Sequence, residues 1–276
     1  MESAIAKALK LETEPVALIF SDERPEGAAQ FKPGAPSCVM FMFASAARGK
    51  AAVFDRESYA CPGGGIGLGF GNAYVKFPGG LPSFCQFLST GNENDPAGKV
   101  IGEGMRAAGA PAIFVDHFLH GERYKQTPDL AEQFVKTLPI AEVPTQYVVM
   151  KPLSHLDSDK EEPVSVTFLV NPDQLSALAI FANYDRPGLE NAAVPYAAAC
   201  QVMGILSYKE AQSENPRCLI GLTDISARTY LRGQGCADKL TFTVPFRRLL
   251  QMESNVEGSF LQGNTWAGVL ERGEGF

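Results

Sequence analysis

A pattern near the start of this chain returns in its second half. Residues 14–20, EPVALIF, read as a strand, with Pro at its start and an apolar run behind it. Residues 162–168, EPVSVTF, repeat that frame 148 positions later, with four identities in seven. The elements behind each copy keep the same order. Cys38 heads an apolar helix, CVMFMFASAARG, stopped by Gly49, and Cys200 heads a second, CQVMGILSYKEA. Residues 51–54 and 218–222 read as short buried strands. Cys61 lies 23 residues after Cys38, and 23 residues after Cys200 stands Thr223 at the matching corner. Residues 239–244, KLTFTV, match an expected strand at 73–77, and the helix at 246–252 matches one at 81–89.

The expectation is an α+β protein of two similar fused α/β halves, with mixed sheets flanked by helices. The first half is 1–150 and the second 151–276, packed as one compact unit. Fused copies pack about a pseudo-twofold axis with equivalent corners facing each other. Between the repeated parts, the sequence predicts helices at 96–108 and 128–136, a short strand at 112–115 and another at 145–150. Asn171 and Pro172 begin a helix over 174–182 as cap and first turn. Trp266 and the tail 273–276 read as terminal packing and fraying.

Composition limits the function. The chain has 276 residues and a net charge of −7, without a basic stripe, so nucleic acid is not an expected partner. The longest apolar stretch, 39–47, is far too short to span a bilayer, so no membrane is expected either. The opening MESAIAKALKLETE reads as a short amphipathic helix rather than a secretory leader, and a cytoplasmic protein is expected. In that reducing compartment six cysteines serve as metal ligands, reactive thiols or core residues sooner than as disulfides.

The chemistry centres on the repeated cysteine. Cys38 and Cys200 sit at helix N-termini, where free N–H groups favour a thiolate. Cys61 precedes a proline and the glycines Gly63, Gly64 and Gly65, in a loop where backbone N–H groups can approach sulfur or a bound cofactor. This predicts an iron–sulfur cluster or another soft-metal site on Cys38, Cys61 and Cys200. Asp224 and Cys218 are reserve ligands for the corner that lacks a cysteine. No close C-x-x-C spacing is present. The role would be redox or small-molecule handling in anaerobic metabolism, with a small molecule or an electron-transfer protein as partner. Whether the protein is an enzyme, and its oligomeric state, stay open. Two alternatives stand beside it: a small-molecule or organic-cofactor module whose cysteines only pack, and a thiol redox protein.

Other constellations carry less. The GxGxxG-like run at 63–71 lacks a clear strand before it and is followed by an expected extended segment, so it reads as a bent loop rather than a dinucleotide site. Asp116, His117 and His120 share a predicted turn, without a recognisable third ligand set around them. Asp185-Arg186 reads as a surface ion pair, and Arg228 as an i+4 partner of Asp224.

The ordered motifs resemble the uncharacterised "domain of unknown function 169" family of bacteria and archaea. They are PVALIF, Cys38 with its helix, ESYACPGG with Cys61, KPL at 151–153, NPDQLSAL at 171–178, Cys200, GLTDISAR at 221–228 and FTVP at 242–245. The resemblance covers nearly the whole chain and implies no activity. It does imply that some members carry a cysteine at or next to the position of Leu222, completing a set of four with Cys38, Cys61 and Cys200. Here that corner reads GLTD.

Overall fold

The computed structural model describes residues 1–35, 37–231, 233–236 and 238–272. The tail 273–276, expected to fray, lies outside them. Two compact units account for the chain: residues 1–70 with 142–276, and residues 71–141. The junction expected at residue 150 falls inside a strand of the first unit.

The first unit is built on one mixed sheet. Its strands are β1 (Val16–Ser21), β2 (Ala52–Phe54), β3 (Tyr147–Pro152), β4 (Ser165–Val170), β5 (Ala192–Ala193), β6 (Cys218–Gly221) and β7 (Leu240–Pro245). Their order is β2-β3-β1-β4-β7-β6-β5, antiparallel throughout except for β5 beside β6. The α+β class is therefore present.

Both faces of the sheet are covered, so most strands read as continuous apolar runs rather than alternations. Alternation survives in which core each residue joins. Ala17 and Ile19 of β1 pack with Val166, Phe168 and Cys218 on one face, while Val16 and Leu18 pack with Val39, Phe43, Cys200 and Met203 on the other. The helix Val39–Ala46 is apolar nearly all round and is buried accordingly. The chain leaves it at Gly49, whose φ of +101° a side chain would resist. The helix Pro172–Phe181 starts as expected, with a capping box between Asn171 and Gln174 and Pro172 in the first turn. Trp266 is buried and donates its indole N–H to the Ala8 carbonyl at 2.8 Å.

Face membership tests the repeated frame residue by residue. A shift of 148 lays Leu18 on Val166, yet these two residues belong to opposite faces of the sheet. A one-residue slip exchanges the faces of a strand, so the EPVxxxF identity is not a structural register.

Residues 71–141 form the second unit, made of the helices Gly80–Phe87, Pro96–Ala107, Ala112–His120 and Pro128–Thr137. Its interior is aromatic. Phe77 lies within 6.4 Å of Phe84, Phe87, Phe114 and Phe118, centroid to centroid. His120 meets Glu93 at 3.2 Å and Asp116 at 3.7 Å, and His117 meets Glu122 at 3.6 Å.

Three elements differ from the sequence reading. Residues 112–115, AIFV, expected as strand, begin a helix that runs to His120. Residues 73–77, also expected as strand, hold a 3₁₀ turn at Ala73–Lys76, so the proposed match to 239–244 fails. The expected glycine-rich loop is the helix Pro62–Gly67. Among the described residues no helix is long and apolar enough to cross a membrane.

Candidate functional site

Three cysteines and one aspartate meet on the face of the sheet that holds the helix Val39–Ala46. Cys38 is the N-cap of that helix; its side chain makes no capping hydrogen bond, and its carbonyl accepts the Phe41 N–H at 3.0 Å. Cys61 is the N-cap of Pro62–Gly67 and accepts the Gly64 N–H at 3.3 Å. Cys200 lies in the first turn of the helical run that starts at Ala199–Gln201, and its thiol donates to the Gly63 carbonyl at 3.5 Å. Asp224 is the N-cap of Ile225–Tyr230, and its Oδ1 accepts the Ala199 N–H at 3.3 Å.

Gly63 C=O and Gly64 N–H belong to one peptide unit. The sulfurs of Cys61 and Cys200 thus contact the same peptide, and with standard bond lengths they lie no more than about 9.5 Å apart.

Glycines make this convergence sterically possible. A Cβ on Gly67 would sit 2.8 Å from the backbone of Cys200 and Gln201, and one on Gly204 would overlap the Gly67 carbonyl. A Cβ on Gly64 would overlap the Tyr59 carbonyl and approach Val39 Cγ2 to 2.8 Å. Close to the Gly67–Gly204 approach, the run from Ala199 widens into a π turn at Val202–Leu206. The Ser165 hydroxyl donates to the Met203 carbonyl there at 2.7 Å. Gly64 and Gly65 are buried, and Gly63 is half-buried with its carbonyl on Cys200.

Electrostatics also link these residues. Burial pushes the Cys38 thiol far above its ordinary value. The neighbouring Cys61 and Asp224 add to the rise, and the Met40 and Phe41 amides oppose it. Cys200 is raised in the same way by burial, then by Cys61, Cys38 and Asp224, against the Gln201 amide. The approach to Cys61 is fixed by Asp55. Burial raises the Asp55 pKa, but hydrogen bonds from Glu57, Ser58 and Gln30 outweigh it and hold the carboxyl low.

The backbone takes the same rare conformation at two of the positions where the chain turns toward this site. Ala60 has φ +72° and Leu222 φ +61°, a region that residues with a side chain rarely enter. Each stands 22 residues after a helix-heading cysteine, Cys38 and Cys200 respectively. The next residue is Cys61 in one case and Thr223, which is exposed, in the other.

Cys218 is not brought to this site. It is fully buried on the opposite face of the sheet, with its sulfur 3.8 Å from that of Met252. None of the six cysteines forms a disulfide. Among the described residues, no group of three or more His, Cys, Asp or Glu side chains is arranged to hold a metal ion. Asp185, expected to pair with Arg186 at the surface, instead pairs with the buried Arg248. Arg248, 1% exposed, grips both Asp185 oxygens at 2.5 and 2.8 Å. The Arg228 guanidinium donates to the carbonyls of Leu222 and Lys239.

The sequence reading misses Gly67, Gly204 and the Gly63 carbonyl. Gly204, an isolated glycine within a helical pattern, is the available signal of close backbone approach.

The family model for domain of unknown function 169, described as uncharacterised ArCR, matches residues 4–255. The chain belongs to this family. No curated protein and no solved structure was found to match it.

Proposed function

We propose that this protein binds an iron–sulfur cluster through Cys38, Cys61 and Cys200. The observation that carries the reading is the convergence of three sulfurs, far apart in sequence, on one patch of the sheet. Cys61 and Cys200 flank a single peptide there. A polynuclear cluster holds its thiolates further apart than a single ion does, because sulfide and several irons lie between them. The Gly64 amide already donates to the Cys61 sulfur, as cluster thiolates require. Ligation would release the thiol protons that burial now retains.

The strand order supports a second part of the proposal, that the chain arose from two related halves. β1 and β4 lie side by side at the centre, followed outward by β3 and β2 on one side and by β7 and β6 on the other. A twofold axis between β1 and β4 interchanges these sets. The matched Ala60 and Leu222 corners agree with it.

The cluster would serve electron transfer, or Lewis-acid handling of a small molecule, in a reducing cytoplasm. The thiol-redox alternative is less well supported. Buried thiols with raised pKa supply little thiolate, and thiolate is the reactive form.

The test is anaerobic purification and reconstitution, followed by iron and sulfide analysis and a visible spectrum. A coloured protein is expected with iron and sulfide in equal amounts. Cys38→Ser, Cys61→Ser and Cys200→Ser should each lower the iron content, while Cys85→Ser and Cys218→Ser keep it. A colourless, iron-free protein after reconstitution would refute the reading.

A further inference from the structure

We infer that the cluster holds four irons, three on Cys38, Cys61 and Cys200, and that the fourth has no thiolate, is held through the Asp224 carboxylate, and is the place where a small oxygen-donor anion binds. The inference rests on the cluster reading above. Ala60 and Leu222 share a rare backbone conformation and the same distance from Cys38 and Cys200. Where the first corner delivers Cys61, the second delivers Thr223 and then Asp224.

The alternatives for a fourth sulfur make their contacts with other groups. Cys218 is across the sheet against Met252. Cys236 shares the core that holds Cys200, but its thiol donates to the Gln234 carbonyl and its charged neighbours are Arg48, Lys239, Asp238 and Glu12 rather than the site's cysteines. Asp224, by contrast, is a charged neighbour of both Cys38 and Cys200 and is tied by Oδ1 to the amide of Ala199, the residue before Cys200.

The ligand class follows from the donor. Iron held by a carboxylate oxygen exchanges that oxygen for another carboxylate or hydroxyl far more readily than it exchanges a thiolate. The corner also opens outward, since Thr223 and Ile225 on either side of Asp224 are exposed. A small hydroxy acid could therefore reach the fourth iron without displacing any cysteine.

The experiment uses the full chain, reconstituted anaerobically. Ferricyanide takes one electron from an oxidised four-iron cluster. The iron without a thiolate then leaves as ferrous ion, and a three-iron cluster, visible by electron paramagnetic resonance, remains. Wild type should lose one iron in four and give that signal, and Thr223→Cys should keep four irons and give none. Asp224→Cys is the second variant, with the same expectation, should the first fail to fold. The reduced wild-type signal should broaden with ¹⁷O-labelled glycolate, and the signal of the cysteine variant should not. A wild type that binds four irons but resists ferricyanide, or that shows no glycolate broadening, would overturn this inference and leave the cluster reading intact. A wild type that binds no iron would overturn both.

Discussion

Alanine at position 67 would place a methyl group against the helical run that carries Cys200. Its Cβ would lie 2.8 Å from Cys200 C and Gln201 N and 2.9 Å from Cys200 O. These are backbone atoms in a helical turn, with no rotamer to yield. Restoring ordinary contact requires the helix Pro62–Gly67 and the Cys200 run to separate by about half an ångström, in an interior packed as densely as a crystal. Such overpacking costs about 1–3 kcal/mol. Alanine gains at most ~1 kcal/mol over glycine in helix propensity, and less at Gly67, the last residue of its helix. A net loss of about 1–2 kcal/mol is expected.

Thermal melts read this as a fall of about 2–4 °C per kcal/mol for a chain of this size. Gly268→Ala is the control. Gly268 also lies in a helix, but a Cβ there meets nothing within 4 Å, so alanine should stabilise by up to ~1 kcal/mol. The reconstituted Gly67→Ala protein should also hold less iron, because the separation acts directly between Cys61 and Cys200. If Gly67→Ala melted at or above wild type, the close approach would not be a constraint, and the argument that these glycines bring the sulfurs together would fail.

Three further outcomes are expected. Cys218 ionises near 9.0 in the unfolded chain, but burial pushes it up to about 12 in the fold, against the pull of Arg248 and Arg186. Between those values the folded state keeps a proton that the unfolded state loses, so stability falls as pH rises, by about 1.4 kcal/mol per pH unit for one thiol. Urea melts at pH 8 and pH 10 should show a smaller loss in Cys218→Ala than in wild type, and equal losses would contradict the assignment. Asp185→Ala removes the carboxylate from a buried guanidinium that keeps its bonds to Ala182 and Gln251, and should cost about 1–3 kcal/mol in the same melts. Less than 1 kcal/mol would mean that water reaches Arg248. The hydrogen bonds from Arg248 are the main cause holding the Asp185 carboxyl below 3.8, so the stability it contributes is present above that pH and lost as acid titrates it. The stability gap between wild type and Arg248→Met should therefore narrow as pH falls below 3.8, and a gap that stayed constant would contradict the assignment.

Much of the sheet is legible in the sequence because apolar runs bounded by proline, glycine or charge locate buried strands well. The cysteine-headed helices are legible too, through their apolar composition and the stop at Gly49. The failures have separate causes. AIFV at 112–115 is β-branched and aromatic, and only its continuation through Asp116 to His120 makes it a helix. PGGGIG reads as loop because glycine costs ~1 kcal/mol per helical position, yet here Gly64 and Gly67 are held by contacts that no larger residue could make. The pairing of Asp185 with Arg248 joins residues 63 apart and has no local signature. The three sulfur positions are visible as a spacing, but the strained conformations of Ala60 and Leu222 belong to the backbone and leave no residue type behind.

The site also poses an electrostatic problem that points to its occupant. Cys38 and Cys200 would acquire negative charge beside Cys61 and Asp224, and burial makes those two charges more costly. Without a cation, Cys38 and Cys200 stay protonated and the cluster of groups gains little from being together. Cysteines that only packed would not need an amide aimed at the Cys61 sulfur, a strained residue before Cys61, or three glycines whose replacement would drive the packed segments apart. A bound cationic centre reverses the balance. It lowers every thiol pKa at once and turns mutual repulsion into shared coordination. On this argument iron should bind more tightly as pH rises, because ligation releases the thiol protons and a lower proton activity favours that release. Chelator competition at pH 6.5 and 8.5 measures that slope, and an iron affinity independent of pH would mean that the thiols are not the ligands.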